Sequence, residues 1–198
     1  DGQSVTGSKI KIKCNCLGIS GGWTPAVHLF TQSGGKLKFD NEDNVFIPSK
    51  YPSDQISIGS CNGEFDLNTI IKNFNQNIKN FLGIDKTSFE DLKINSTKEI
   101  LKRNIWLLPS DKAIGKCKPF VDFQNDATAK DIKLALREGF RSIEHVKRYT
   151  TTGMGTDQGK LGNMHALGII SDTSGVKMSD LGTTTFRPPY TPLTFGTI

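Results

Sequence analysis

Three short helical patterns follow one another between residues 128 and 170, each with its own start signal. Thr128 and Asp131 have the spacing of a capping box, ahead of Ile132, Ala135 and Leu136 and a stop at Gly139. Ser142 is placed to cap a second helix carrying Ile143, Val146 and Tyr149. Thr156 is placed to cap a third, with Leu161, Met164, Leu167 and Ile170 on one face. Helices of two or three turns are marginal alone, so these must bury their apolar faces against one another. The pattern predicts a small α-rich module over 119–182, with an extended lead-in at 120–124 and a Thr/Pro-rich extended tail over 183–198.

The preceding residues read differently. Ile10, Ile12, Cys14 and Cys16 alternate with Lys11, Lys13 and Asn15, the period of a half-buried strand. Further short strands are expected over 37–39, 45–47 and 55–60, which makes 1–65 β-rich. The last of these ends in Gly59-Ser60-Cys61-Asn62-Gly63, small residues that let backbone N–H groups approach a ligand. An ordinary strand–helix turn explains them equally well, and no GxGxxG occurs. Leu67, Ile70, Ile71, Phe74, Ile78 and Phe81 keep helical spacing, with Asp66 placed to cap that helix. A Lys/Asn-rich connector, weakly helical, is expected up to Asn104, then a short apolar strand over 105–109 in which Trp106 is a packing residue.

Four cysteines among 198 residues are too few for a disulfide framework, and Cys14 with Cys16 has no nearby partner pair for a metal. They are expected to be small reduced core residues of a cytoplasmic protein. His28, His145 and His165 lack metal-ligand spacing and read as packing or surface residues, and no nucleophile–base–orienter set is visible. No apolar run approaches a membrane span. The net charge of +5 is too small and too spread to demand nucleic acid, and suits a phosphate-bearing cofactor or a negative partner surface. The chain starts at Asp1 with no leader pattern and reads as a piece of something longer.

Residues 147–160 carry the most chemistry. Lys147, Arg148 and Lys160 supply charge, and Thr150, Thr151, Thr152 and Thr156 supply hydroxyls around Gly153, Gly155 and Gly159. Over 130–160 seven bases face four acids, so three of the five net charges lie there. Such a stretch suits an anion held by charge-assisted hydrogen bonds. Asp157, expected in the first helical turn, argues against a phosphate squarely on that helix end. A solvated basic face is the alternative.

Several long motifs carry a family resemblance. Phe120-Val121-Asp122-Phe123-Gln124-Asn125-Asp126-Ala127-Thr128-Ala129-Lys130-Asp131-Ile132 resembles the alpha subunit of heterotetrameric sarcosine oxidases. So do His145-Val146-Lys147-Arg148-Tyr149, Thr156-Asp157-Gln158-Gly159-Lys160, Ser20-Gly21-Gly22-Trp23-Thr24-Pro25 and Thr185-Phe186-Arg187-Pro188-Pro189-Tyr190. The resemblance covers nearly the whole chain, least convincingly at 73–104. It implies an α/β arrangement: 1–72 the C-terminal part of an NAD-binding dinucleotide domain, 73–118 a connector, 119–182 a small helical domain, and 183–198 a linker towards a folate-binding domain. It implies a complex with beta, gamma and delta subunits, with FAD and tetrahydrofolate held elsewhere and a covalent FMN at the alpha–beta interface. That complex oxidises sarcosine to glycine and hydrogen peroxide and passes the one-carbon unit to tetrahydrofolate.

The module at 119–182 also resembles the 2Fe–2S domain of bacterioferritin-associated ferredoxin. Alignment on Thr128 and Gln158 puts Asp122, Gln124, Asp157 and Gly162 where cluster-bearing relatives have cysteines, so no iron–sulfur cluster is expected. The resemblance assigns Asn62, Leu67 and Thr69 to the NAD site. It assigns Lys147, Arg148, Thr150, Thr151, Thr152, Gly153, Gln158 and Lys160 to the FMN side of the subunit interface. No catalytic residue is expected in the chain, which alone is expected to be inactive. The alternative is a non-catalytic docking module for the flavoprotein subunit of a related amine or opine dehydrogenase.

Overall fold

The computed structural model describes residues 4–8, 10–52, 54–83 and 104–198. In chain order they form α1 (His28–Gln32), the hairpin β1 (Lys36–Asp40) and β2 (Val45–Lys50), a 3-10 turn (Gly59–Asn62) and α2 (Leu67–Leu82). A second 3-10 turn (Ile114–Lys116) leads to the short pair β3 (Phe120–Asp122) and β4 (Ala127–Thr128). Then come α3 (Ala129–Arg137), α4 (Ile143–Thr150), α5 (Asn163–Ser174), α6 (Met178–Leu181) and a last 3-10 turn (Phe195–Thr197). Both strand pairs are antiparallel, which makes the described part a mixed α/β arrangement.

The core is built around α5. Ile132 and Ala135 of α3, Ile143 and Val146 of α4 and Val121 of β3 are buried with Ala166, Leu167, Ile169 and Ile170. Ala166 through Ile170 are buried without a break, so α5 is covered on every side, where the sequence spacing suggests a single apolar face. Phe46 of β2 belongs to the same cluster, with Leu37 and Phe39 packed against it, so the hairpin and the helices share one core. Trp106 also packs there, pressed against Gly168, where any Cβ would overlap its ring.

The caps explain where the helices begin. The Asp66 carboxylate accepts from the Thr69 N–H at 2.9 Å and from its hydroxyl at 2.8 Å, starting α2. Thr128 and Asp131 form the expected reciprocal box, with the Thr128 N–H donating to Asp131 at 2.9 Å. Ser142 stands at the N-cap position of α4, but its side chain makes no capping hydrogen bond there.

Other expectations are corrected. The third helix begins at Asn163, not after Thr156. The Thr156 hydroxyl and the Asp157 N–H are engaged by the Gln124 side chain, and left-handed Gln158 and Gly159 interrupt any helix there. Residues 10–16 form no strand: a strand needs a partner, and among the described residues none pairs with them. Ile10 and Ile12 are exposed, as are Cys14 and Cys16, while Cys61 and Cys117 are half-buried, so the cysteines are not core residues. All four are free thiols. Residues 55–60 run without a strand into the 3-10 turn, and 105–109 form no strand. Helices α1 and α6 are too short to leave a periodic signal. Positions 84–103 of the expected connector lie outside the described residues. No helix among the described residues is long and apolar enough to cross a membrane.

Candidate functional site

The loop after α4 is held from one point. Asp122, buried at the end of β3, accepts from the Gly153 N–H at 2.7 Å across 31 residues. Its other oxygen accepts from the N–H groups of Gln124 at 2.8 Å and Asn125 at 3.0 Å. Burial alone would raise the Asp122 carboxyl, but these donors outweigh it and hold the pKa below the usual carboxylate value. Asn125 donates to the Thr151 carbonyl at 3.1 Å, and Gln124 accepts from the Asp157 N–H at 3.2 Å. Gly162 packs so closely on the Val121 carbonyl that a Cβ would collide with it. The four positions aligned with cluster cysteines thus meet in a seam of hydrogen bonds and close packing between the β3–β4 turn and the 151–162 loop. Among the described residues no group of three or more His, Cys, Asp or Glu is arranged to hold a metal.

The hydroxyls expected to face an anion turn inwards in part. Thr150 and Thr152 are buried, their hydroxyls 2.7 Å apart, and Thr150 donates to the Val146 carbonyl at 2.8 Å. Thr151 ends α4 in the left-handed region and donates to the Thr150 carbonyl. Lys147 and Arg148 lie in the last turn of α4, where a cation meets the negative helix end. Arg148 pairs with Glu144 at 2.8 Å. The other Glu144 oxygen accepts from the Thr185 N–H at 2.6 Å.

Gln158 and Lys160 grip the tail. Gln158 donates to the Pro189 carbonyl and accepts from the Arg187 N–H, so it reads two backbone groups of one segment. Lys160 donates to the Tyr190 carbonyl and stands 4.1 Å over the Tyr190 ring. Asn163 donates to the Thr184 hydroxyl at 3.1 Å. The structure therefore brings Thr150, Thr151, Thr152, Gly153, Lys147 and Arg148 together at the end of α4, and sets Gln158 and Lys160 against residues 187–190.

His28 lies beneath this strap. Its ring stacks 3.8 Å from Phe186, and both ring nitrogens are buried without a hydrogen-bond partner. A cavity of about 30 Å³ beside it is lined by Val27, Phe46, Lys160, Asn163, Thr184 and Phe186. Burial, and then the nearby Lys160 charge, push the His28 pKa down from 6.5 to about 4, with Asp157 opposing. A buried neutral base contributes its stability above its unfolded pKa and loses it as pH falls from 6.5 towards 4. Between pH 7 and pH 5 the chain is expected to lose about 1–2 kcal/mol through this residue. His28→Leu should flatten that fall in thermal melts; an equally steep fall in the variant would refute the assignment.

The second expected cluster lies elsewhere in the fold, at the corner between the first 3-10 turn and α2. Asn62 accepts from the Tyr51 hydroxyl at 3.1 Å, Leu67 is exposed, and Thr69 is bound to Asp66. Asp122, Gln124, Glu144 and His28 were not expected as organising residues. Asp122 and Gln124 had a signal, since they occupy aligned ligand positions. The roles of Glu144 and His28 come from contacts across 41 and 158 residues with no local signature.

Residues 116–198 match the family model described as the sarcosine oxidase A3 domain. The chain is 38% identical to the alpha subunit of sarcosine oxidase from Rhizobium meliloti (strain 1021), over 94% of this chain and 19% of that protein. It is 33% identical to the sarcosine oxidase alpha chain of Corynebacterium sp. (strain U-96), over 100% of this chain and 21% of that one. Its counterpart from Corynebacterium sp. (strain P-1) matches at 33% identity over 97% of this chain and 20% of its own length. The chain spans about a fifth of the length of the curated relatives it matches. In fold it resembles L-proline dehydrogenase from P.horikoshii, with a TM-score of 0.51 and 18% identity, over 87% of this chain and 37% of that one. The chain is a homologue of sarcosine oxidase alpha subunits over nearly its full length.

Proposed function

We propose that the chain is part of the alpha subunit of a flavin-dependent complex that oxidatively demethylates sarcosine to glycine with hydrogen peroxide and passes the one-carbon unit to tetrahydrofolate. The observation that carries this reading is identity of 33–38% to sarcosine oxidase alpha subunits along the chain. Within the complex, this part works by holding and positioning. Bound flavin would supply the electron acceptor for amine oxidation. Lys147 and Arg148 fit its phosphate or negative edge, because they put two cations in the last turn of α4, where Arg148 is also paired with Glu144. Thr151 adds a hydroxyl there, whereas Thr150 and Thr152 brace the loop from inside. Gln158 and Lys160 act one step back, by fixing the tail that leads away from the module. At the α2 corner, Asp66 already takes the Thr69 N–H, so Asn62 and Leu67 offer NAD a carboxamide and an apolar surface. The partners are the beta, gamma and delta subunits, in the cytoplasm.

The experiment is the double substitution Lys147→Gln with Arg148→Gln in the complete complex, with FMN measured per assembled complex. The expected FMN is covalent, so the substitution acts on the binding that precedes attachment. A charged hydrogen bond is worth roughly 1.5–3 kcal/mol, and FMN incorporated per complex is expected to fall by at least about half. A variant that assembles and keeps FMN like the wild type would refute the cofactor role. The inward turn of Thr150 and Thr152 favours a second reading, a docking module for a flavoprotein subunit that touches no cofactor itself.

A further inference from the structure

Glu144 joins the tail to the end of α4. One of its carboxylate oxygens accepts from the Thr185 N–H at 2.6 Å. The other accepts from Arg148 Nη1 at 2.8 Å. The Glu144 main-chain carbonyl accepts from the same Nη1, also at 2.8 Å. Burial would raise the Glu144 carboxyl, but the Thr185 N–H and the Lys147 and Arg148 charges outweigh it and hold its pKa below the usual carboxylate value. The group is ionised at neutral pH, so both of its side-chain hydrogen bonds are charge-assisted.

For Arg148 this fixes an orientation. A guanidinium carries five N–H donors in a rigid plane. Nη1 has two of them, and the Glu144 carbonyl and carboxylate take both. Among the described residues no hydrogen bond engages Arg148 Nε or Nη2. Those two atoms form the edge that gives parallel hydrogen bonds to two oxygens of one phosphate. With Nη1 held at two points, the direction of that free edge is set before any ligand arrives. An exposed i,i+4 ion pair adds little to stability. This one is further tied, through its carboxylate, to a backbone N–H 41 residues away.

We infer that Glu144 is a positioning residue of the anion site: anchored on the Thr185 N–H, it aims the Nε/Nη2 edge of Arg148 at two oxygens of the flavin phosphate. The inference rests on the proposed function. It gives the site an acidic residue that by charge alone would oppose an anion. Lys147, in the same last turn of α4, supplies the second cation.

Charge and orientation make opposite predictions. Glu144→Ala removes a negative charge, so Coulomb attraction alone would strengthen FMN binding. Loss of positioning weakens it. The test uses the complete complex, assembled without FMN and then supplied with it, as wild type, Glu144→Ala, Arg148→Gln and the double variant. The readout is the FMN concentration that gives half-maximal incorporation. Glu144→Ala is expected to raise that concentration about fivefold or more. It should add nothing in the Arg148→Gln background, because the side chain through which it acts is gone. Glu144→Gln keeps one acceptor oxygen and runs the same comparison if the Ala variant does not assemble. Unchanged or tighter FMN binding on loss of the carboxylate would overturn the inference. So would equal losses in both backgrounds, since Glu144 would then act through the tail and not through Arg148. Failure of the proposed function shows separately, as an Arg148→Gln complex that incorporates FMN like the wild type, and it would take this inference with it.

Discussion

Asp122→Ala is expected to destabilise the chain by about 3 kcal/mol and to release the 151–162 loop. The carboxylate satisfies the N–H groups of Gly153, Gln124 and Asn125 from a buried position. Hydrogen bonds to a charged group are worth about 1.5–3 kcal/mol, and each buried donor left without a partner costs about 1–3 kcal/mol. Some donors will recover water as the loop opens, which keeps the total below the full sum. Asp122→Asn should cost less, since its carbonyl still accepts from Gln124 and Asn125 while its amide turns a donor towards the Gly153 N–H. The acid side follows from the carboxyl's low pKa. This contribution is present above the usual Asp value and disappears as pH falls through the lowered one. Urea unfolding with hydrogen exchange at Gly153 checks both effects. An Ala variant within about 0.5 kcal/mol of wild type, with Gly153 still protected, would refute the seam's role.

Gly168→Val is expected to cost about 3 kcal/mol or more. Helix propensity alone favours replacement, since Gly is about 1 kcal/mol worse than Ala in a helix interior. The Trp106 ring reverses that preference. Its Cγ, Cδ1 and Cδ2 atoms lie where a Cβ on residue 168 would stand, and Gly168 is itself buried in α5. Overpacking a close-packed core costs typically 1–3 kcal/mol, and an isopropyl group added against an indole belongs at the upper end. The double variant Gly168→Val with Trp106→Ala should recover part of the loss, because the ring that clashes is gone. Strictly additive costs for the two substitutions in a double-mutant cycle would show that residues 106 and 168 do not press on each other.

Much of the helical part was legible because its signals are local. The Asp66 cap, the Thr128–Asp131 box and the apolar spacing of 132–136 each lie within one or two turns, and the structure reproduces them. The two strands around 37–39 and 45–47 were legible as short local runs, and the structure pairs them as a hairpin across four turn residues. The start of α5 was misread. A Thr followed by an acid is a start signal anywhere, and only a side chain 32 residues earlier shows that Thr156 is engaged elsewhere. The stretch 10–16 was misread for the opposite reason, since alternation describes a strand's faces and says nothing about a partner.

The sequence by itself carried the likeness to sarcosine oxidase alpha subunits, the starts of α2 and α3, the existence of α4, and the absence of cysteine at the aligned cluster positions. It also placed charge and hydroxyls together at 147–160, since these are properties of neighbouring residues. Tertiary structure alone decided which of those groups remain available. Folding spends Thr150 and Thr152 on each other, Gln158 and Lys160 on the tail, and Asp122 on Gly153. Apart from the Thr150–Thr152 pair, these choices depend on partners some 30 residues away, and a buried polar group must find one wherever the chain brings it.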